Sequence, residues 1–514
     1  MKTTLKLVGI SFFFLFSFNQ GNAQTEFAKV YFEEYEALQS SSVVNANDGS
    51  YIIAGNRNNK SFLLKSDSTG EILWNKSFEP FSTDEHANIT SLFDSTFLFV
   101  SGIFISDKGH TVLLCVNIDT DGDTNWIRSI DLGISVYPYS VEQTLDSGFI
   151  IAGYVYENGL PNRIVVIKLD NLATLQWSKV IQGAYKAHYA YSVKQTADTG
   201  YIIAGYVADW GRYSSNGYLL KLTSSGEISW SNTYELSSSN DNKGLAVIVL
   251  DDGYLLGMLT SSHLIMMKTD LSGNVLWAKN YNVFSMGFEI LKIKIQKTTD
   301  GRFAVLARDA LTKIDSSGNV LWSKGFMMYV ADVVESTDKG FFIVGNGPLI
   351  GVKKYITDDP QIGVAKTDSL GQNSSECIFD ANINVETETA TSNAITFTSE
   401  AIGAMSQVSI QLSSASIVAE TGCVAFVGAV NEEVFEDNVQ IFPNPSSGIF
   451  TIQTTNGEQL SGIEVFNAFG EQVYQIDGLE MMEIAIDLST NSRGIYFLKL
   501  TVNGKKYSRK IVLF

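Results

Sequence analysis

Lys65-Ser-Asp67-Ser-Thr-Gly70-Glu-Ile-Leu-Trp74 decides the fold, because the chain writes it again and again. A Lys or near equivalent, an Asp or Thr, a short turn that often holds Gly, and a closing Trp recur six times. The closing residues Trp74, Trp126, Trp177, Trp230, Trp277 and Trp322 stand 52, 51, 53, 47 and 45 residues apart. A period of that size, built from β-type segments, is the mark of a β-propeller. Each period resolves into four short strands. The first leads to an Asp-Gly type turn, as at Asp48-Gly49, Asp146-Ser-Gly148 and Asp198-Thr-Gly200, because Asp and Gly supply the left-handed backbone of a tight hairpin. The second is nearly all apolar, Tyr-Ile-Ile-Ala-Gly at 51 to 55 and 201 to 205, which suits a strand covered on both faces. The third runs into the Lys-x-Asp turn, and the fourth carries the Trp and continues as Trp-x-Lys.

A seventh copy is split between the two ends of the repeat region. Lys366-Thr-Asp368-Ser-Leu-Gly371 opens a turn with no Trp strand after it, and Phe27-Ala-Lys29-Val-Tyr31 is a Trp-type strand, with Phe for Trp, that has no turn before it. Joined, they complete one blade and close the ring, which removes open sheet edges. The expected architecture is all-β: a seven-bladed propeller over residues 24–376, a Ser/Thr-rich β spacer over 377–431, and a small β-sandwich over 432–514.

The first 23 residues read as a signal peptide. Lys2 and Lys6 precede an apolar run from Leu7 to Phe18, and Gly21-Asn-Ala23 offers small residues before a cut. The run is too short for a comfortable membrane span, and no other segment approaches one, so the mature chain is expected to be soluble and exported. A formal charge of −19, from 36 basic and 55 acidic residues, excludes a nucleic-acid partner, which demands basic patches. Cys377 and Cys423 flank the spacer and could be bridged, although sequence alone does not fix a pairing. Cys115 sits in the apolar run Val112-Leu-Leu-Cys115-Val116 and reads as a small buried hydrophobe.

Near the C-terminus, Pro443-Asn444-Pro445-Ser-Ser-Gly448-Ile-Phe450, the middle segment Val465-Phe-Asn-Ala-Phe-Gly470 and Arg493-Gly494-Ile-Tyr496 occur together within about 75 residues. This combination resembles the type A C-terminal sorting domain of proteins exported by the type IX secretion system of Bacteroidota. The resemblance implies a β-sandwich, recognised by the secretion machinery at the outer membrane and usually removed, with the rest released or held at the outer cell surface. Pro443, Asn444, Pro445, Gly448, Arg493, Gly494 and Tyr496 are the residues that carry it. The alternation of Ile463 and Val465, Ile484 and Ile486, and Tyr496, Leu498 and Leu500 independently suits a sandwich. The Asp-turn-Gly-x-x-x-Trp repeat resembles that of quinoprotein and WD-like propellers, where the turn positions an aromatic between blades. The quinoprotein repeat sets its Gly and Trp one residue further from the Asp, and the adjacent Cys pair that those enzymes place by the cofactor is missing here. The six repeat Trp residues are therefore expected to be structural, and no cofactor is expected.

Candidates for chemistry are few. His86, His110, His188 and His263 are isolated, with no metal-ligand or triad spacing, and no metal is expected. Asp119-Thr-Asp121-Gly-Asp123 could offer oxygen ligands to calcium, but it occupies a repeat turn where polar residues belong anyway. Loops from the second to the third strand share a face with those crossing between blades, and such loops carry binding residues. Here they are richest in aromatics around the third and fourth blades. Tyr154, Tyr156, Tyr185, Tyr189, Tyr206, Trp210, Arg212 and Tyr213 are the candidate ligand-binding residues, with Tyr137, Tyr139 and His188 nearby. Aromatic platforms suit sugars or protein partners. The expected function is thus an exported, non-catalytic binding module for a glycan or protein. The alternative is a polysaccharide hydrolase or lyase, whose acid and base would sit in the central channel as two carboxylates within reach across the pocket, where a binder would show aromatics and amides without such a pair.

Overall fold

A computed structural model describes residues 26–513 other than 33–37, 59, 80–86, 185–186, 210–213, 240, 261–262, 283–291, 327, 347–360, 374–377, 382, 402–403, 407–410, 414–417, 422–438, 445, 455–458, 468–471, 492–493 and 503–504. Its strands form seven five-stranded antiparallel sheets, plus one of three strands and one of four. The first strands of the seven sheets are Leu38–Asn45, Asn88–Ser91, Ser135–Gln143, Ala187–Gln195, Lys243–Leu250, Ile293–Lys297 and Tyr329–Glu335. Each touches the first strand of the next sheet, and the last touches the first, so the sheets form a closed ring around these inner strands. The fold is a β-propeller.

Closure lies where the split repeat places it. Phe27–Phe32 pairs with Ile362–Thr367 as the fourth strand of the seventh sheet, with Phe27 opposite Lys366. The repeat motif works between sheets. Trp177 in the third sheet stands over Gly226 in the turn of the fourth, where an added Cβ would meet the indole at 2.9 Å and the backbone has φ +80°. Only Gly meets both demands without strain. Trp74, Trp230, Trp277 and Trp322 cover Gly122, Gly273, Gly318 and Gly371 in the same way, and Phe27 covers Gly70 across the closure. At the matching turn of the third sheet Ala173 stands where the others have Gly, held at φ +58°, and it belongs to the core cluster that Trp126 packs against. All six indoles are half-buried, with part of each facing solvent. Within each sheet the Lys of the motif turns inward. Lys65, Lys168, Lys221, Lys268, Lys313 and Lys366 each pair with the Asp of their own first hairpin, at 2.7 to 2.9 Å. In the second sheet Asn117 stands there and donates to Thr96 and to the Phe97 carbonyl.

The segment read as a spacer does more than follow the ring. Its short strands Ile378–Asp380, Val385–Thr387, Ala390–Ala394, Thr398–Ala401, Ala404–Ser406, Gln411–Ser413 and Val418–Thr421 pair with the outer strands of the sixth, fifth, fourth, third, second, first and seventh sheets in turn. The chain thus passes back around the ring as a belt and ends against Phe27–Phe32. It is anchored by side chains as well as by backbone pairing. Asp380 pairs with Lys324, Glu388 accepts from Ser237 at 2.8 Å, and Phe397 is buried against Tyr218. Every outer edge of the ring is thereby covered, which is how sheet proteins avoid edge-to-edge association.

The three- and four-stranded sheets, from Val439–Phe442 to Lys505–Leu513, share one apolar core that includes Ile463, Val465, Ile486, Tyr496, Leu498 and Leu500. Asn444 accepts the Val512 N–H at 2.9 Å through Oδ1, tying the Pro-Asn motif to the last strand. Gly448 lies so close to Ser489 that a Cβ would collide with it at 2.5 Å. Tyr496 is buried and Gly494 exposed, while Pro445 and Arg493 lie outside the described residues, as do the signal segment, Cys377 and Cys423. Cys115 is buried, and burial pushes its thiol up to about 12.

Candidate ligand-binding site

A bulge on the inner strands builds the site. In the third sheet the pairing register slips between Pro138 and Ser140, and in the fourth between Ala190 and Ser192, leaving Tyr139 and Tyr191 as extra residues. Such a bulge bends the strand and re-aims its side chains. Just before it, Tyr137 lies opposite Tyr154 on the neighbouring strand, and Tyr189 lies opposite Tyr206. The first pair stacks at 4.7 Å with 13° between planes, and the second at 4.8 Å with 28°. Tyr154 meets Tyr189 edge-on across the two sheets, at 5.2 Å and 67°, and Tyr139 meets Tyr191 at 4.3 Å. Six phenol rings therefore form one continuous cluster where the sheets face the crossing loops.

The loop after Tyr156 completes a concave site. Glu157 accepts a turn bond from the Leu160 N–H at 3.0 Å and pairs with Arg163 at 2.8 Å. At the loop's end, the Asn162 carbonyl accepts the His188 N–H at 2.9 Å, and its amide donates to the Tyr189 hydroxyl at 2.9 Å. Between these elements lies a cavity of about 520 Å³, lined by Tyr137, Tyr154, Tyr156, Leu160, Pro161, Asn162, Ala187 and Tyr189. Burial pushes the Tyr189 phenol up, with the Asn162 amide opposing. Tyr191 and Tyr206 are pushed further in the same direction by burial and by neighbouring phenols. Tyr189, Tyr191 and Tyr206 thus stay neutral at physiological pH.

Of the sequence-derived candidates, Tyr154, Tyr156 and Tyr189 line the cavity. Tyr156 is 45% exposed and stands at its rim. Tyr206 is buried behind Tyr189 at 8% exposure and supports the stack without lining it. Tyr185, Trp210, Arg212 and Tyr213 lie outside the described residues. His188 points away from the cavity. Its Nε2 accepts the Gly183 N–H at 3.0 Å, and its ring meets Phe397 of the belt edge-on. Burial pushes its pKa down to about 4, and the Asn162 carbonyl pulls weakly the other way without a well-formed bond to Nδ1. Sequence reasoning missed Tyr191, Leu160, Pro161 and Asn162. A signal for Tyr191 was present, since Tyr137-Pro-Tyr-Ser-Val-Glu-Gln143 and Tyr189-Ala-Tyr-Ser-Val-Lys-Gln195 share one pattern.

A second, ionic cluster occupies the inner strands where the seventh sheet meets the first. The buried Asp332 carboxylate accepts the Val43 and Val333 N–H groups at 3.0 and 2.8 Å and the Ser42 hydroxyl at 3.0 Å, with Lys294 at 3.3 Å. Burial alone would raise its pKa. The two lysines Lys294 and Lys292 and the backbone donors more than offset this and hold it low. Burial brings the neighbouring, half-buried Lys292 down to about 8. Other acids of the inner strands are engaged too, Glu142 with Lys194 at 2.6 Å and Glu335 with the Thr299 N–H at 2.8 Å. At the Asp119 turn, Oδ1 accepts the Asp121 and Asp123 N–H groups at 2.9 and 2.8 Å, and Asp123 pairs with Lys76. The turns at Asp67, Asp170, Asp270, Asp315 and Asp368 use the same bonds, so this geometry belongs to the repeat. Among the described residues no group of three or more His, Cys, Asp or Glu is placed to hold a metal ion.

Residues 440–513 match the family of secretion system C-terminal sorting domains. The chain therefore carries a type IX sorting domain and is exported beyond the cell. No curated protein matches the chain. Among solved structures it is similar to a protein of unknown function from Bacteroides caccae, at 12% identity over 49% of this chain and 84% of that one, with a TM-score of 0.31. An α-L-arabinofuranosidase from Fusarium graminearum in complex with an iminosugar inhibitor matches at 11% identity, 67% and 98% coverage and a TM-score of 0.40. A GH43_12 structure from a capybara gut metagenome matches at 10% identity, 95% and 94% coverage and a TM-score of 0.28. Likenesses this distant carry nothing about activity.

Proposed function

We propose that this is an exported binding module that holds a glycan or protein ligand in the tyrosine cavity between its third and fourth sheets. One observation carries the reading: among the described residues, the eight lining the cavity are aromatic, aliphatic or amide, and none is a carboxylate. A glycoside hydrolase needs an acid and a base, or an acid and a nucleophile, roughly 5 to 10 Å apart across its substrate. A binder needs contact area and a few orienting polar groups, which four tyrosines and Asn162 supply. The sorting domain delivers the module to the outer surface or the medium and is then dispensable, because its core is separate from that of the ring.

A glycan array together with a pull-down from the native surroundings tests the binding role. Capture of a ligand by the wild type and its loss in Tyr156→Ala would support it. Turnover of a captured polysaccharide into shorter products would replace it with the hydrolase or lyase reading. Removing residues 438–514 tests delivery: the truncated chain should be retained inside the outer membrane with its propeller folded, and normal delivery would contradict the proposal.

A further inference from the structure

The cavity's chemistry goes further and selects among ligand classes. We propose, resting on the binding reading above, that it takes an uncharged sugar unit of a neutral polysaccharide. Three features of the lining converge on that class. The first is charge. Tyr137, Tyr154, Tyr156, Leu160, Pro161, Asn162, Ala187 and Tyr189 include no Asp, Glu, Lys, Arg or His. A uronate, sulfate or ammonium group entering this cavity would lose its hydration without gaining a counter-charge from these eight residues. The chain's net charge of −19 adds a repulsive field against polyanions.

The second feature is polarity. The Asn162 amide, which donates to the Tyr189 hydroxyl at 2.9 Å, and the phenol hydroxyls keep further donor and acceptor capacity at the cavity wall, and a wholly apolar ligand would leave that capacity unused. The occupant must therefore be polar and neutral together. The third is shape. Tyr137 and Tyr154 lie nearly parallel, while Tyr189 stands at 67° to Tyr154, so the rings make a floor and a wall meeting at a corner. A sugar ring has this duality, an apolar C–H face that stacks on an aromatic and a rim of hydroxyls for the Asn162 and tyrosine groups. A volume of about 520 Å³ falls within the range of small-ligand sites, roughly 300 to 1,000 Å³.

A neutral peptide is the other polar, uncharged candidate. The common way for a sheet protein to take an extended peptide is to add it as a strand to an open edge. That route is closed here, because the belt already pairs with the outer strand of all seven sheets.

Titration calorimetry of the full chain against matched oligosaccharides decides the matter. The probes are neutral gluco-, xylo-, manno- and galacto-oligomers, an oligogalacturonate as the anionic arm and a chitosan oligomer as the cationic arm. The expected result is binding of at least one neutral oligomer, unchanged between low and high salt and weakened at least about tenfold, or about 1.4 kcal/mol, in both Tyr156→Ala and Asn162→Ala. Tighter binding of the anionic or cationic oligomer, lost in Tyr156→Ala, would overturn the sugar class while leaving the binding module intact. So would the absence of any neutral-sugar binding at millimolar concentration alongside Tyr156-dependent capture of a protein. If no Tyr156-dependent ligand of any kind is captured, both the class and the underlying reading fall.

Discussion

The inner strands of the third and fourth sheets and those of the seventh and first sheets share one backbone device and use it for opposite chemistry. All four slip register at the same place, between residues 138 and 140, 190 and 192, 330 and 332, and 40 and 42. In all of them the residue after the bulge reaches toward the next sheet or is reached by the one before. Ser140 accepts the Val193 N–H at 3.2 Å, Ser192 accepts the Val247 N–H at 3.3 Å, and Asp332 accepts the Val43 N–H at 3.0 Å. Between the third and fourth sheets the bulged residues are Tyr139 and Tyr191, which meet each other at 4.3 Å, and the tyrosines just before them, Tyr137 and Tyr189, line an aromatic cavity. Where the seventh meets the first the bulged residues are Ala331 and Ser41, Asp replaces Ser in the clasp, and the result is a buried ion cluster. The repeat supplies a scaffold position, and side-chain identity alone turns it into a seam or a site.

The sharpest way to break this comparison is to remove the clasp on each side. Asp332→Ala leaves two backbone N–H groups and a serine hydroxyl without their acceptor, removes the counter-charge facing Lys294 and Lys292, and should cost about 3 to 5 kcal/mol. Ser192→Ala removes two long neutral hydrogen bonds to the Val247 backbone, at 3.3 and 3.5 Å, and should cost about 1 kcal/mol. Urea midpoints at constant slope measure both, and equal losses would mean that the ionic cluster is no more than another seam.

The next largest effect is a pH dependence beside the aromatic site. His188 is 1% exposed and its pKa is lowered from 6.5 to about 4. Between those values the unfolded chain binds a proton that the folded chain refuses, so stability is full above pH 6.5 and falls as the pH drops toward 4. The loss is at most about 3 kcal/mol. The lowered carboxylates, such as Asp198 at about 2, lose their contribution only below their ordinary value of 3.8, in a separate window. Thermal unfolding at pH 7 and pH 4.5 should therefore show a drop that His188→Gln largely removes; an equal drop in the variant would assign it elsewhere.

Smaller again is the effect of the motif aromatics. Trp177 stacks edge-on with Tyr201 and covers Gly226, but one side of it meets water. Trp177→Ala should cost about 2 to 3 kcal/mol, less than the 3 to 5 of a fully enclosed ring. A loss under about 1 kcal/mol would contradict its role between sheets.

The architecture was legible because its signals are local and repeated. The Lys-x-Asp turn, the αL Gly and the Trp recur at one period, and the unmatched copy at Lys366–Gly371 finds its partner in Phe27–Tyr31. The belt was not legible. Strands such as Val385–Thr387 and Ala404–Ser406 are three residues long, too short for any periodicity, and their conformation is set by the outer strands they pair with. The site was legible in part. Tyr154, Tyr156 and Tyr189 stood out as aromatics expected in loops, yet they sit on the strands Phe149–Tyr156 and Ala187–Gln195, whereas Asn162 is an ordinary polar residue until the loop folds it onto Tyr189.

The central claim is that the bulged tyrosine strands hold a ligand, and Tyr156 gives the cleanest access to it. Its ring is at the rim, so Tyr156→Ala should shift stability by no more than about 0.5 kcal/mol, the usual range for a surface change. Calorimetric titration of wild type and variant with the neutral oligomer that binds best is the direct measurement. At least a tenfold loss of affinity with an unchanged unfolding midpoint is the predicted result. Affinity that survives the substitution would place the ligand elsewhere and reduce the tyrosine cluster to packing.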